Sequence, residues 1–180
     1  MKRIFDFCLS FIVLLVLGWL IILLIIIASM DLKTFGIFCQ KRIGQFGIPF
    51  TIFKIKTMKN GKTTLISRFF RKYKFDELPQ LINILQGKMS FVGPRPDIEG
   101  YYDKLIGEER KILLLKPGLT SEAALKYSNE EQLLSTKDNP EEFNDLILFP
   151  EKVKLNLQYY YSQSFFVDLS IIFKTIKHYL

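Results

Sequence analysis

The residues of this chain best suited to chemistry lie in residues 75–96, FDELPQLINILQGKMSFVGPRP. Asp76 and Glu77 are adjacent carboxylates, and Arg95 is a guanidinium braced by Pro94 and Pro96. An ionised carboxylate can act as a nucleophile or general base, or hold a hard cation. An arginine whose flanking backbone is fixed by proline can meet a phosphate with little entropy to lose. Leu78, Leu81, Ile82 and Leu85 recur at the i, i+3, i+4, i+7 spacing of a helical apolar stripe, which predicts a short helix. Asp76 then falls at the N-cap, Glu77 and Pro79 in the first turn, where the missing proline amide costs nothing, and Gly87 at the C′ stop. The positive end of that helix favours ionised carboxylates by about 0.3–1 kcal/mol each. Asp followed by Glu is also the commonest way to begin any helix, and a proline-rich turn whose Arg pairs with a surface acid is equally ordinary. The surrounding elements have to decide.

Residues 32–75 carry eleven basic side chains and no acid. Such a field can press a domain onto an anionic leaflet, at about 1 kcal/mol per residue near the surface. It can equally steer and neutralise a phosphate or diphosphate substrate. Nucleic acid is the other usual partner, but no zinc-finger, RRM or helix-turn-helix pattern accompanies the block. Residues 36–42 and 48–57 read as two strands joined by a turn holding Gly44 and Gly47. Residues 58–64 form a polar loop. Residues 65–74 suit an interfacial helix with Phe69 and Phe70 inward and Arg68, Arg71 and Lys72 at the phosphate level.

Ahead of this block, residues 7–30 contain no charge and are bounded by Asp6 and Asp31. As a helix they extend about 36 Å, enough to cross a bilayer core with some tilt. The run exceeds a signal-peptide core and ends without a small-x-small cleavage site. Lys2 and Arg3 precede it while Lys33, Lys41 and Arg42 follow, so basic residues flank both ends. A straight span and a helix that bends at Gly18 and returns are both compatible with that pattern. Cys8 and Cys39 make no disulfide framework, which fits a reducing compartment. A single His and two Cys argue against a His- or Cys-ligated metal, and any metal should be a hard, oxygen-ligated ion such as Mg²⁺.

The order GIFCQKRIGQFGIPFTIFKIKTM, RKYKFDELPQLINILQGKMSFVGPRP, KPGLT and SFFVDLSIIFKTI, behind an opening KRIFDF, resembles the small monotopic phosphoglycosyl transferases of the bacterial sugar transferase family. DELPQL followed by GPRP, behind a basic loop and a membrane helix, is a specific signal, and the likeness covers nearly the whole chain. The resemblance implies transfer of a sugar 1-phosphate from a UDP-sugar to a polyprenyl (undecaprenyl) phosphate, releasing UMP, at the cytoplasmic face of the bacterial inner membrane. It implies that Asp76 is the nucleophile of a covalent phosphosugar intermediate, with Glu77 as its partner and Mg²⁺ at the diphosphate, held by Asp76. Arg95 with Pro94 and Pro96, and then Arg42, Lys54, Lys56 and Arg71, match substrate-binding positions; each of the basic four is also readable as a solvated or lipid-facing charge. The chain departs from the family pattern at Gly18-Trp19, where a Ser-Pro break is usual, at Lys88, and after KPGLT, where SEAALKYSNEEQLL replaces a Trp-x-Gln motif.

Residues 121–151 hold eight acids against two lysines and read as a solvated cap, with Asn139-Pro140-Glu141-Glu142 as a helix start. From Asp168, the stripe Leu169, Ile172, Phe173 and Ile176 flanked by Lys174 and Lys177 suits a helix in the membrane interface or one packed in a core. Asp168 matches a family position and is expected to cap that helix or orient the site. The expected fold class is α+β and mostly helical. It comprises a membrane-inserted, re-entrant helix over residues 1–31, a small β-hairpin, and interfacial helices around a cytoplasmic catalytic domain over residues 32–180. The expected partners are the UDP-sugar, polyprenyl phosphate and membrane lipid, without nucleic acid. A membrane-anchored basic adaptor without catalysis is the competing reading, and transfer of the sugar alone, releasing UDP, is a third.

Overall fold

A computed structural model describes residues 1–179. Packing divides the chain into two units, one of residues 1–42, 49–90 and 179, the other of residues 43–48 and 91–178. The chain is mostly helical with small two-stranded sheets, and one long apolar helix opens it.

In the first unit, the charge-free run forms α1 (Lys2–Leu32), one helix with Gly18 inside it. It is the one helix among the described residues that is long and apolar enough to cross a membrane by length and composition. Its buried residues are Asp6 and Ser10 near one end and Ile21, Leu24, Ala28 and Leu32 towards the other. Both ends are tied to the same unit. Arg3 donates to the carbonyls of Ile84 (2.6 Å) and Leu85 (2.7 Å), while Asp31 accepts from Thr64 Oγ1 (2.5 Å) and Ser67 Oγ (3.4 Å). Leu24 and Ala28 pack in one cluster with Ile55 and Phe70. Fully burying such an aliphatic or aromatic side chain contributes roughly 1.5–3 kcal/mol.

The expected hairpin is present as β1 (Ile37–Ile43) and β2 (Pro49–Ile55), joined by a 3₁₀ turn at Gln45–Gly47. Gly47 supplies a left-handed residue at φ 78°, and Phe46 adopts φ 61° beside it. The helix α2 (Leu65–Lys72) is capped by the Thr64 hydroxyl, which accepts from the Ser67 amide. Its inward face differs from the expected one: Ser67 and Phe70 are buried, whereas Phe69 is exposed. The Ser67 hydroxyl faces Asp31 at 3.4 Å, and Phe69 lies on the outward face.

The helix after the carboxylates also differs in register. Residues Phe75–Glu77 form a 3₁₀ turn, and α3 (Gln80–Leu85) begins only after Pro79. The Leu78 amide takes the Phe75 carbonyl at 3.2 Å, the acceptor that the amide Pro79 lacks would have used in an α-helix. Asp76 is therefore inside the turn rather than its N-cap, which is Lys74. The buried face of α3 is Gln80, Leu81, Asn83 and Ile84, and Ile82 is exposed. Gly87, at φ 80°, provides the expected stop, and its amide donates to Ile84 O at 2.9 Å.

In the second unit, β3 (Ser90–Val92) pairs with β4 (Gly118–Thr120). A Cβ on Gly93 would lie 2.2 Å from the Lys116 carbonyl oxygen, so only glycine lets the two segments approach this closely. Short helices α4 (Glu122–Lys126), α5 (Glu130–Ser135) and α6 (Pro140–Phe143) carry the acidic stretch, and Asn139 caps α6 as its sequence predicts. A π-turn at Asn144–Leu148 leads into α7 (Phe149–Ser162), followed by α8 (Phe165–Tyr179). The core here gathers Ile43, Tyr102, Leu105, Ile112, Leu113 and Val153. The face of α8 turned inward holds Asp168 and Ile171, while Phe173 and Ile176 of the expected stripe are exposed.

Candidate active site

In the first unit, the carboxylate turn is set by Lys74, whose φ of 56° is a left-handed conformation that costs a non-glycine residue free energy. Aromatic packing on the next residue offsets it. The Phe75 ring meets Phe69 at 5.9 Å, Tyr73 at 6.0 Å and Phe70 at 6.5 Å between centroids, each such pair contributing about 0.5–1.5 kcal/mol. With Phe75 held against α2, the next two side chains are fixed. Asp76 and Glu77 are 8% and 6% exposed, so two neighbouring carboxylates are withdrawn from bulk water.

Burying a carboxylate costs several kcal/mol unless a cation or donors compensate it. Lys54, on β2, supplies the cation, its Nζ 3.2 Å from Glu77 Oε1. Of the four further basic residues expected in the site, Lys54 is thereby brought to the carboxylate pair. Arg42, on β1, donates through Nη2 to Gln40 Oε1 at 2.8 Å, and Arg71, on α2, donates through Nη1 to Met58 Sδ at 3.2 Å. Lys56, just past β2, is partly buried, and its amide continues the hairpin by donating to Gly36 O at 2.7 Å.

Two polar residues at this site were missed in the sequence. Asn83 is fully buried on α3, where its Nδ2 donates to Thr51 O at 2.8 Å and its Oδ1 accepts from the Phe53 amide at 3.2 Å. A single polar residue inside the apolar run LINIL was the available signal. Arg3, read as a topology charge, instead donates to the carbonyls of Ile84 and Leu85 at the C-terminal end of α3. Nothing in the KRIFDF string distinguishes that use.

In the second unit, Pro94 and Pro96 are buried and Arg95 between them is exposed. The loop is held by the Gly118 amide, which donates to Pro94 O at 2.8 Å, and by the Gly93 amide, which donates to Thr120 O at 3.0 Å. Arg95 borders a depression with Ile43, Gly44, Pro96, Tyr102 and Pro117. Burial pushes the Tyr102 phenol well above its ordinary range, with the Asp97 charge adding to the shift and the Asn156 amide opposing it. Asp168 sits in the first turn of α8, buried, and accepts from Tyr159 Oη at 2.5 Å.

Among the described residues, no group of three or more His, Cys, Asp or Glu side chains is arranged to hold a metal ion. Mg²⁺ commonly binds through one or two carboxylates and completes its shell with substrate phosphate and water. The Asp76–Glu77 pair has that donor chemistry, so the residues present fit an ion that arrives with a phosphorylated substrate rather than one held in a protein cage.

The whole chain, residues 1–180, matches the bacterial sugar transferase family. The "uncharacterized sugar transferase EpsL" of Bacillus subtilis is 30% identical over 98% of this chain and 86% of its own length. The undecaprenyl-phosphate glucose phosphotransferase of Komagataeibacter xylinus is 32% identical over 98% of this chain, which spans 35% of that protein. The UDP-glucose:undecaprenyl-phosphate glucose-1-phosphate transferase of Caulobacter vibrioides is 30% identical over 78% of this chain and 55% of its own length. The last two relatives are thus considerably longer than the region they share with this protein. A family match along its full length, joined to a buried carboxylate pair on the DELPQL segment, means that the chain belongs to the bacterial sugar transferase family.

Proposed function

We propose that this protein transfers a sugar 1-phosphate from a UDP-sugar to a polyprenyl phosphate such as undecaprenyl phosphate, releasing UMP, with Asp76 as nucleophile. The observation that carries the reading is the buried Asp76–Glu77 pair with Lys54 on Glu77, in a chain of this family. The names of the relatives support the same donor and acceptor classes. In the first displacement an Asp76 carboxylate oxygen attacks the sugar-bearing phosphorus. An Asp–O–P bond forms, the bond from that phosphorus to the bridging oxygen breaks, and UMP leaves with the electron pair. In the second, an oxygen of the lipid phosphate attacks the same phosphorus, and the Asp76 carboxylate is the leaving group. Both phosphate substrates then use one site in turn.

Lys54 orients Glu77 beside Asp76, and the turn set by Lys74 and Phe75 keeps both carboxylates from reorganising during attack. Mg²⁺ held by Asp76, with Glu77 beside it, would neutralise diphosphate charge and stabilise the departing UMP. Arg95, stiffened by its prolines, is assigned to a phosphate or nucleotide group of the donor, and Arg42, Lys56 and Arg71 to the cationic field around it.

The acceptor is a membrane lipid, and α1 is assigned to the bilayer. Arg3 and Asp31, at opposite ends of α1, both bond to the unit that carries Asp76. A straight span would put those ends on opposite faces of a hydrocarbon core about 30 Å thick. Both ends being tied to one unit supports a helix that enters and leaves on one face, and the catalytic unit is assigned to the cytoplasmic side of the inner membrane. The exposed Phe165, Phe166, Phe173 and Ile176 of α8 and Phe69 of α2 suit the interface of that membrane.

The test is direct. Detergent-solubilised protein given Mg²⁺, polyprenyl phosphate and a panel of UDP-sugars should release UMP, and a trapped phosphosugar adduct should map to Asp76. Release of UDP would instead mean transfer of the sugar alone. Salt-sensitive lipid binding with no turnover of any nucleotide sugar would mean an adaptor.

A further inference from the structure

We infer that Asn83 is a positioning residue of this site: its buried amide fixes the strand that presents Lys54 to Glu77. The inference rests on the proposed reaction for its catalytic consequence and on geometry alone for the clamp. Strand β2 has one edge paired with β1, and the outward Thr51 carbonyl and Phe53 amide lie on one side of the strand because residues i and i+2 repeat their direction. The Asn83 side chain satisfies both at once, donating to Thr51 O at 2.8 Å and accepting from Phe53 N at 3.2 Å. Its amide thus takes the place of a peptide group from a third strand. Only an Asn-sized amide offers donor and acceptor in that order from this point on α3.

The clamped residues immediately precede Lys54, whose ammonium is 3.2 Å from Glu77 Oε1. Glu77 lies in the turn that leads into α3, the helix carrying Asn83. One element therefore holds both ends of the contact: it carries Glu77 on its leading turn and grips the lysine strand further along. If the clamp is lost, β2 is free to shift along α3, and Lys54 no longer stays on the carboxylate. Asn83 is 0% exposed and reaches no substrate, so it acts through Lys54.

Asn83→Asp keeps the volume and the acceptor for Phe53 but replaces the donor to Thr51 with an oxygen. Asn83→Leu removes both bonds. Thermal unfolding of each variant selects those that remain folded, and both are read in two ways. First, brief acylation of the full-length, detergent-solubilised protein with an N-hydroxysuccinimide ester of acetate is followed by mass spectrometry. Lys54 should be modified several-fold faster relative to Lys56 than in the wild type. Second, in the UMP-release assay kcat should fall by about tenfold or more with KM changed much less, as expected when a reacting geometry loosens. The same Asn83 substitution placed on Lys54→Met should add almost nothing.

Unchanged relative reactivity of Lys54 overturns the clamp, and multiplicative effects of the two substitutions overturn the route through Lys54. A wild type that releases no UMP from any UDP-sugar overturns the proposed reaction and with it the catalytic half of the inference. The Lys54 reactivity still decides the clamp in that case.

Discussion

Glu77 and Glu151 each accept from a lysine ammonium, at 3.2 Å from Lys54 and at 2.7 Å from Lys126, and the longer contact is the more buried one. The first pair is 18% and 7% exposed at its side chains, the second 53% and 48%. A buried carboxylate that loses its cation has no water to replace it, whereas an exposed one exchanges the cation for solvent at little cost. Distance alone is therefore a poor guide to importance in this molecule. Burial and the rigidity of the supporting elements decide, and both favour the turn at residues 74–77.

The comparison breaks most sharply at Asp76. Asp76→Asn keeps the shape of the buried turn but removes the proposed nucleophile, and UMP release should fall by about 10³-fold or more. The melting temperature should stay within a few degrees of the wild type or rise, since the variant buries one charge fewer. Full turnover in Asp76→Asn would sink the assigned nucleophile and remove the reason for setting this turn apart from the acidic surface.

Lys54→Met tests the same region through the cation. Glu77 is left buried beside an apolar neighbour, a change expected to destabilise by about 1–3 kcal/mol, below the full cost for a wholly buried pair because Lys54 is partly exposed. Activity should fall along with stability. Glu77→Gln with Lys54→Met should recover stability without recovering turnover, measured by denaturant unfolding and UMP release on the same samples. If the double variant is no more stable than Lys54→Met, the ion pair is not what compensates the buried carboxylate.

Much of this division was visible in the sequence, and what was missed has physical causes. The charge-free run and Gly47 of the hairpin turn determined α1 and the β1–β2 connection because solvation and backbone sterics act locally. The DELPQL and GPRP segments flagged Asp76, Glu77 and Arg95 by residue type. The register of α3 was not legible. Its apolar stripe reads Leu78, Leu81, Ile82 and Leu85, but the open edge of β2 needs an amide, and Asn83 turns inward to supply it while Ile82 faces out. Phe69 was also misplaced, and Ser67, which faces Asp31, is buried instead. In α3 a hydrogen-bond requirement set by a distant segment overrides the hydrophobic pattern. The partnership of Arg3 with α3 belongs to the same class, since its acceptors lie about eighty residues away.

Within the second unit the effect of burial recurs at Tyr102. Burial raises Tyr102, so in the folded protein it stays protonated at pH values where the unfolded chain has begun to ionise. Its contribution to stability is complete below the ordinary tyrosine pKa of about 10 and is lost as pH rises through the range between the unfolded and folded values. Thermal midpoints measured from pH 8 to 11 should therefore fall more steeply in the wild type than in Tyr102→Phe, which has nothing to ionise. Equal slopes would mean that the phenol is not held from water.

The smallest effect is expected where the contacts look best. Glu151 accepts from Lys126 at 2.7 Å and from the Tyr127 hydroxyl, and the lysine first and then the phenol lower its pKa. A carboxylate lowered in the folded state stabilises above its unfolded pKa, and the contribution is lost as pH falls through the folded value. Both groups are exposed, so salt screens the pair and water replaces each partner. Glu151→Gln should leave the melting temperature at neutral pH and UMP release nearly unchanged, and any difference from the wild type should shrink further in 1 M salt. A large, salt-resistant loss of turnover in Glu151→Gln would place the acidic stretch in the reaction, and the distinction between a buried site and a solvated surface would have to be redrawn.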